Sequence, residues 1–370
     1  MVDTFTETET TGFLSNMGKS IMAVPIGILL FFASFFVFWK TEGRINWSKV
    51  AETSTVVAAD NATGNDGALV AVTGELSSTE TVGDPDFLPA GPYIELDRNT
   101  QMYAWVEDVD TKKEKKTGGK TKTTKTYSYD MEWTRSPKSG EDFRHPEGHR
   151  NPPMPVEDAS FAVTSALVGA WGFNPNEASL PSGEPLSLSN VQLTGKGATA
   201  KKVGDEVYMG KGTPDVPQLG DVKVSWSALR GGQTVTLFGE AAGGKVVAHM
   251  VDGEDRFFRA IKGTRAEAIA TLATEYSAMG WMGRIAGFLM MWIGMTMVFA
   301  PLHGVMDILP FMGRVSRGLV GCITFPIALV LSAIAIVISM ILHSIVAMIV
   351  IVLLLAGTGF VVWKKKQAAA

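Results

Sequence analysis

The residues whose type and spacing are best suited to chemistry are two histidines, His145 and His149. They are four positions apart, the spacing that places two metal ligands on one face of a helix. Pro146 and Gly148 lie between them, and both residue types disfavour a helix there. We therefore expect a loop whose imidazoles bond to backbone groups, and we predict no metal site.

A carboxylate pair at Asp84 and Asp86 is the other candidate for acid–base chemistry. Pro85 separates the two residues, and this setting is typical of a turn. The sequence contains no G-x-S-x-G, P-loop or H-E-x-x-H motif, and the glycine-rich segment 204–212 lacks the strand–helix context of a phosphate-binding loop. We predict no catalytic residue, no cofactor and a protein that is not an enzyme.

Long apolar stretches indicate the elements that organise the chain. Between Leu319 and Trp363 there is no Asp, Glu, Lys or Arg. As one helix, at about 1.5 Å per residue, this stretch would far exceed a hydrocarbon core roughly 30 Å thick. Two transmembrane helices over 319–342 and 344–363 fit, with a turn at His343.

The N-terminal region contains one more apolar run, over residues 21–39, between two lysines. It is long enough to span a bilayer, and its large aromatic residues at the end disfavour a signal-peptide cleavage site. We predict a transmembrane helix there, preceded by a disordered tail over residues 1–20. The polar residues 41–263 then form a β-rich extramembrane domain.

Short runs that alternate in the strand period support this β-rich assignment. They are Gly67–Leu76, Tyr127–Trp133, Asp221–Ser227, Thr234–Glu240 and Lys245–Val251. Arg230–Gln233 is typical of a hairpin turn, and we expect a short helix near Phe161–Ala170. Seven lysines lie between Asp110 and Lys125. They indicate either a solvated hairpin tip or a basic patch for anionic lipids.

A capping box marks the end of the β-rich domain. Thr264 is followed three residues later by Glu267, which can reach back to the first helical N–H groups. We predict a connecting helix over 264–280 that continues directly into a transmembrane helix over 281–299. The fold class is thus an α+β membrane protein with one N-terminal and three C-terminal transmembrane helices.

Basic residues predict the orientation in the membrane. The segment 301–318 is amphipathic and interrupted by prolines, which indicates an interfacial connector. The basic residues expected at the membrane interface are Arg314, Arg317, Lys364, Lys365 and Lys366. Because cytoplasmic flanks are enriched in Lys and Arg, we predict that the tail 364–370 and the N-terminus are cytoplasmic. The β-rich domain would then be periplasmic or lumenal.

Composition excludes several classes of protein. The 370 residues carry a net charge of −4, which gives no case for nucleic-acid binding. The mean hydropathy of +0.16, with 19% charged residues, indicates membrane helices joined to a polar domain. The single cysteine, Cys322, excludes a disulfide framework and a cysteine-based zinc site.

Five local segments resemble the LUMA family, the family of transmembrane protein 43. They are Thr41–Arg44, Met102–Glu107, Tyr127–Trp133, Gly148–Pro152 and Gly220–Ser225. The resemblance implies a multipass protein with no assigned reaction. It also implies the properties of animal members, which self-associate, reside in the endoplasmic reticulum and inner nuclear membrane, and are linked to lamin, emerin and ion channels. The acidic N-terminal tail and the lysine-rich insertion after Glu107 depart from that family.

The sequence is compatible with two functions. The first is a non-enzymatic membrane scaffold whose partners are the bilayer, a second copy and other membrane proteins. Gly318 and Gly321 are its possible oligomer contacts, since small residues let helices approach closely in lipid. The alternative is a channel or transporter component that conducts through the helix bundle. The predicted location is the cytoplasmic membrane in a bacterium, or the endoplasmic reticulum or inner nuclear membrane in a eukaryote.

Overall fold

The computed structural model describes residues 3–306 and 310–343, grouped into two compact units. The β unit comprises residues 1–6, 47–110 and 126–273. The helix unit comprises residues 7–46, 111–125 and 274–370. The protein is therefore an α+β membrane protein with a large β-rich domain, and three of its described helices are long and apolar enough to cross a bilayer.

Strands make up most of the β unit. In chain order they are β1 Asp3–Thr11, β2 Thr55–Val57, β3 Leu69–Ser77, β4 Val82–Asp84, β5 Leu88–Gly91, β6 Tyr93–Lys116, β7 Lys120–Thr134, β8 Ala159–Ala162, β9 Ala166–Val168, β10 Trp171–Phe173, β11 Glu184–Pro185, β12 Lys201–Val203, β13 Glu206–Met209, β14 Val222–Arg230, β15 Thr234–Ala242, β16 Lys245–Val247, β17 His249–Val251, β18 Asp255–Phe257 and β19 Arg259–Lys262. A short 3₁₀ helix covers Gly195–Thr199.

Five helices belong to the described chain. They are α1 Phe13–Glu42, α2 Trp47–Glu52, α3 Arg265–Val298, α4 Ala300–Met306 and α5 Pro310–Leu342. The predicted transmembrane segment 21–39 lies inside α1. The predicted connecting helix 264–280 and the transmembrane segment 281–299 are covered by the single helix α3, apart from their outermost residues. The predicted segments 344–363 and 364–370 lie outside the described residues.

One sheet of the β unit closes into a small barrel. Its strand order is β19-β15-β16-β10-β9-β3-β2, and an additional pairing joins β15 to β3. That pairing, with Leu237 opposite Val72, closes the ring β3-β15-β16-β10-β9. Trp171 is fully buried in the core of this sheet, and its indole N–H donates to the carbonyl of Ala58 at 3.0 Å.

The second large sheet has the order β1-β7-β6-β14-β13-β12, with β8 on β6 and β11 on β14. Its long antiparallel pair β6–β14 aligns Trp226 with Arg98. Alternate residues of β6 from Leu96 to Ala104 are buried, as expected for a strand with one face on a core. The predicted turn at Arg230–Gln233 does not form a hairpin, because β14 and β15 belong to different sheets.

Two further local sequence predictions are wrong in the structure. Within the predicted disordered tail 1–20, residues 3–11 form β1 and residues 13–20 form the first turns of α1. The alternating Thr/Glu composition of β1 lacks an apolar face, and its order comes from pairing with β7. The segment Phe161–Ala170 contains β8 and β9 instead of a short helix. Short apolar runs are ambiguous between the two structures, and here long-range pairing selects strands.

Candidate functional site

Glycines bring α1 and α3 into backbone contact within the helix unit. A methyl group added at Gly294 would lie 2.7 Å from the carbonyl oxygen of Gly27, and one at Gly27 would lie 2.6 Å from that of Gly294. A methyl group at Gly287 would lie 2.5 Å from the ring of Phe38, which is fully buried. Larger side chains would therefore separate the helices. This is the small-residue packing that holds helices together in lipid.

A buried ion pair joins the same two helices. The Arg284 guanidinium on α3 donates two hydrogen bonds, at 2.7 and 2.9 Å, to the carboxylate of Glu42 on α1. The Glu42 side chain is only 5% exposed and that of Arg284 is 29% exposed. Beside this pair, the Arg44 guanidinium lies 4.0 Å from the ring centre of Tyr276. The Glu42–Arg284 ion pair and the contact between Arg44 and Tyr276 fix the orientation of α1 against α3.

Helix α5 packs on the bundle through a face of mostly small residues. Its buried positions are Val320, Thr324, Ala328, Ser332, Ala335 and Ser339. The Thr324 hydroxyl donates to the carbonyl of Val320 at 2.8 Å, and the Ser332 hydroxyl contacts the sulfur of Met291 at 3.4 Å. Both hydroxyls therefore have hydrogen-bond partners inside the bundle.

The predicted oligomer contacts Gly318 and Gly321 lie on the outside of α5. Within the described part of the chain, a methyl group added at either glycine meets no atom within 4 Å. They border an open apolar groove whose other lining residues are Trp292, Cys322 and Phe325. The Trp292 indole N–H donates to the carbonyl of Gly321 at 3.3 Å, which fixes one wall of the groove.

The predicted interface residues are only partly within the described chain. Arg314 and Arg317 fall in the first turns of α5, because this helix begins at Pro310 inside the predicted connector 301–318. Proline is favoured at the first position of a helix, which explains this start. Lys364, Lys365 and Lys366 lie outside the described residues.

The predicted capping residues lie at the start of α3. One carboxylate oxygen of Glu267 accepts hydrogen bonds from the backbone N–H of Thr264 at 2.8 Å and from its hydroxyl at 2.9 Å. The Glu267 backbone N–H lies 3.5 Å from the Thr264 hydroxyl. Arg265 anchors the same turn by donating to the carbonyls of Ala51 and Glu52 at 3.1 and 2.8 Å.

His145 and His149 of the β unit belong to an aromatic cluster. Among the described residues, no group of three or more His, Cys, Asp or Glu side chains could hold a metal ion. The buried ring of His149 stacks on Tyr129 with 4.1 Å between ring centres, and its Nδ1 lies 3.0 Å from the carbonyl of His145. The Tyr129 hydroxyl donates to Glu107 at 2.5 Å. Burial and this hydrogen bond raise the pKa of Tyr129 to about 12.

Asp84, the first residue of the predicted carboxylate pair, is the centre of a buried polar network. Its carboxylate is fully buried and accepts hydrogen bonds from the Arg98 guanidinium at 2.9 and 3.0 Å. The indole N–H of Trp226 donates to it at 3.0 Å, and the backbone N–H of Asp86 donates to it at 3.0 Å. This network positions two strands of the sheet, which is a structural role.

Asp221 is a second buried carboxylate with a structural role. It accepts hydrogen bonds from the Tyr208 hydroxyl and from the backbone N–H groups of Lys211, Gly212 and Gln218 at 2.9, 3.1 and 2.7 Å. Burial raises the pKa of Asp221, but the hydrogen bonds from Tyr208 and the three backbone groups outweigh it and lower that pKa below its usual value.

This pKa predicts a pH dependence of stability. Because the folded-state pKa of Asp221 is below the unfolded value of about 3.9, its contribution is complete above that pH. The contribution is lost as the pH falls through the folded-state pKa. We expect Asp221→Asn to be less stable than the unmodified protein by a constant amount from about pH 5 to 7, with the difference shrinking below about pH 4. Thermal unfolding across this range measures it, and a difference that grows toward low pH would contradict the assignment.

The residues that join α1 to α3 were not predicted from the sequence. Gly283 and Gly287 form a G-x-x-x-G pair in α3, and a methyl group at Gly283 would collide with Thr41 of α1. That spacing is a recognised signal of close helix packing and could have been found from the sequence. The Glu42–Arg284 pair carries no such signal, because its partners are far apart in the chain.

The family model and the relatives that match this chain all belong to one family. The family model of transmembrane protein 43 matches residues 102–345. Transmembrane protein 43 of Rattus norvegicus is 28% identical over 331 residues, covering 83% of this chain and 81% of the relative. The Homo sapiens protein is 28% identical over 329 residues with the same coverage, and the Drosophila melanogaster homolog is 24% identical over 287 residues, 73% of this chain and 74% of the relative. No solved structure matches significantly.

Proposed function

Because the chain belongs to the transmembrane protein 43 family, we propose that it is a non-enzymatic membrane scaffold that assembles with copies of itself. In this proposal both termini are cytoplasmic and the β unit lies on the opposite side of the membrane. Other membrane proteins would bind to the assembled form.

The observation that carries this proposal is the open glycine surface of α5. Apolar attraction between helices is weak in lipid, so association depends on small residues that let backbones approach. Gly27 of α1 and Gly283, Gly287 and Gly294 of α3 are already used in contacts inside the bundle. Gly318 and Gly321 border an apolar groove, and among the described residues nothing occupies the space beside either glycine. The groove therefore supports an interface between copies at this face.

A size measurement in mild detergent tests the proposal. We expect the unmodified protein to run as an oligomer, and the double variant Gly318→Leu and Gly321→Leu to run as a monomer, because leucines fill the space that a second helix needs. Ala333→Leu is the matched control, since Ala333 is exposed elsewhere on α5. It should leave the oligomer intact. A monomeric unmodified protein would contradict the scaffold proposal.

The alternative proposal is a channel or transporter component that conducts through the bundle. Hydroxyls that line a path for ions must be free to replace water around them. In the described part of α5, Thr324 bonds to its own helix and Ser332 to Met291. This arrangement favours the scaffold. An ion flux in liposomes that contain the purified protein would favour the channel or transporter component over the scaffold.

A further inference from the structure

The β unit carries an exposed Asn-x-Thr motif in the loop between β2 and β3. The motif consists of Asn61, Ala62 and Thr63, and its middle residue is not proline. An asparagine with a Ser or Thr hydroxyl two residues later is the acceptor pattern for an N-linked glycan on a surface loop. Because so short a pattern also arises by chance, the surroundings of each occurrence decide whether it can carry a glycan.

The two functional side chains of this motif are accessible and contact each other. Asn61 and Thr63 are both exposed. The Thr63 hydroxyl donates a hydrogen bond to the side-chain carbonyl oxygen of Asn61 at 2.8 Å. This hydrogen bond engages the amide oxygen and not the amide nitrogen, which is the atom that a sugar is attached to in an N-linked glycan.

The residues around the motif are anchored on the barrel. The Ala59 carbonyl accepts a hydrogen bond from the backbone N–H of Ala170 at 2.6 Å. Ala62 is partly buried against the hydrophobic core of the same sheet. Beyond the motif, the Asp66 carboxylate accepts a hydrogen bond from the backbone N–H of Gly243 at 2.8 Å. The loop is therefore held on both sides of the acceptor amide, which stays on the surface.

The motif follows a strand at the edge of a sheet. β2 is the last strand in the described order of its sheet and pairs with β3. Val56 at the centre of β2 is 65% exposed. An open edge strand is a template for pairing with another chain, and native proteins commonly cover such edges. A bulky, polar glycan in the loop that directly follows β2 would cover this one.

A second motif of the same type, Asn46–Ser48, has different surroundings. Ser48, which supplies its hydroxyl, is only 5% exposed in α2. Its middle residue, Trp47, stacks on Phe257 with 5.1 Å between ring centres. This motif is thus part of the packed structure of the β unit, whereas both functional side chains of the first motif are on the surface. The structure favours Asn61 over Asn46 as an acceptor.

We propose that Asn61 is the acceptor of an N-linked glycan when the chain is inserted in a membrane of the secretory pathway. In the transfer, the side-chain nitrogen of Asn61 bonds to the first carbon of an oligosaccharide that is carried on a lipid pyrophosphate. The bond between that carbon and the pyrophosphate oxygen breaks, the nitrogen gives up one proton, and the lipid pyrophosphate leaves. The proposal rests on the orientation proposed above, in which the β unit lies opposite the cytoplasm.

Translation of the full chain with endoplasmic reticulum microsomes, which supply the transferase and the lipid-linked donor, tests this proposal. We expect one slower band in gel electrophoresis, which an endoglycosidase converts to the unmodified band. Asn61→Gln and Thr63→Ala should each abolish the slower band, whereas Thr63→Ser should retain it, because serine keeps the hydroxyl. Asn46→Gln, at the packed motif, is the matched control and should leave the slower band unchanged.

Protease added outside the microsomes separates failure of the glycan from failure of the orientation. A β unit that is protected from the protease but carries no glycan would overturn the acceptor role of Asn61 and leave the orientation intact. A β unit that the protease digests would overturn the orientation and the acceptor role with it. A slower band that persists in Asn61→Gln would also overturn the assignment, since another residue would then carry the glycan. The oligomer size in mild detergent is measured separately, so failure of the glycan is distinguishable from failure of self-assembly.

Discussion

Replacing Asp84 with alanine is expected to lower the free energy of unfolding of the β unit by about 3–5 kcal/mol. The substitution removes the buried carboxylate that compensates the Arg98 guanidinium, which is 8% exposed, and leaves it only the exposed carboxylate of Asp86 at 3.4 Å. It also removes the acceptor of the Trp226 indole N–H. Thermal or urea unfolding of the full chain in mild detergent, followed by the tryptophan signal, measures the loss.

Asp86→Ala is the matched control for this substitution. Its carboxylate contacts the same guanidinium at 3.4 Å but is 41% exposed, so water replaces the lost contact. We expect a loss of about 1 kcal/mol or less. The double variant Asp84→Ala with Arg98→Met should be more stable than Asp84→Ala alone, since it removes the uncompensated charge. Equal effects of Asp84→Ala and Asp86→Ala would show that the buried network is not the source of stability.

Glu42→Ala should have the second large effect, a loss of about 3 kcal/mol in the stability of the helix unit. The carboxylate accepts both hydrogen bonds of Arg284 in a nearly closed site, and its removal leaves a cation between α1 and α3. Unfolding in increasing concentrations of a denaturing detergent, followed by the helical circular dichroism signal, measures this loss.

A double-mutant cycle separates the ion pair from other consequences of the change. Glu42→Ala with Arg284→Met should cost less than the sum of the two single variants, because each single variant already breaks the pair. Lys40→Ala is the control, since Lys40 is exposed on the same helix, and its effect should be within about 0.5 kcal/mol. Additive effects of Glu42→Ala and Arg284→Met would mean that the two side chains contribute independently.

Local signals in the sequence account for much of the fold. The apolar run at 21–39 predicts the core of α1, and Thr264 with Glu267 predicts the residue before which α3 begins. These predictions succeed because helix length, apolarity and capping depend on neighbouring residues. The strand over Thr234–Glu240 is visible for the same reason, as alternation along one short segment.

Pairing between distant segments accounts for what could not be predicted. The closure of the barrel depends on the pairing of β3 with β15, and no local feature of either strand identifies the other as its partner. Asp84 has the turn that its neighbours predict, but its burial depends on Arg98 and Trp226, which lie on other strands. The polar composition of the N-terminal strand predicts disorder, and its pairing with β7 is what orders it in the structure.

The unbroken course of α3 has a mechanical consequence. Its 34 residues form one rod about 51 Å long, whose first turns contribute Ala268 and Leu272 to a buried cluster of the β unit. A transmembrane helix adjusts its tilt when the thickness of the bilayer changes. A change of about 10° in the tilt of such a rod displaces one end relative to the other by roughly 9 Å. We therefore expect a change in lipid composition to change the tilt of α3 along its whole length.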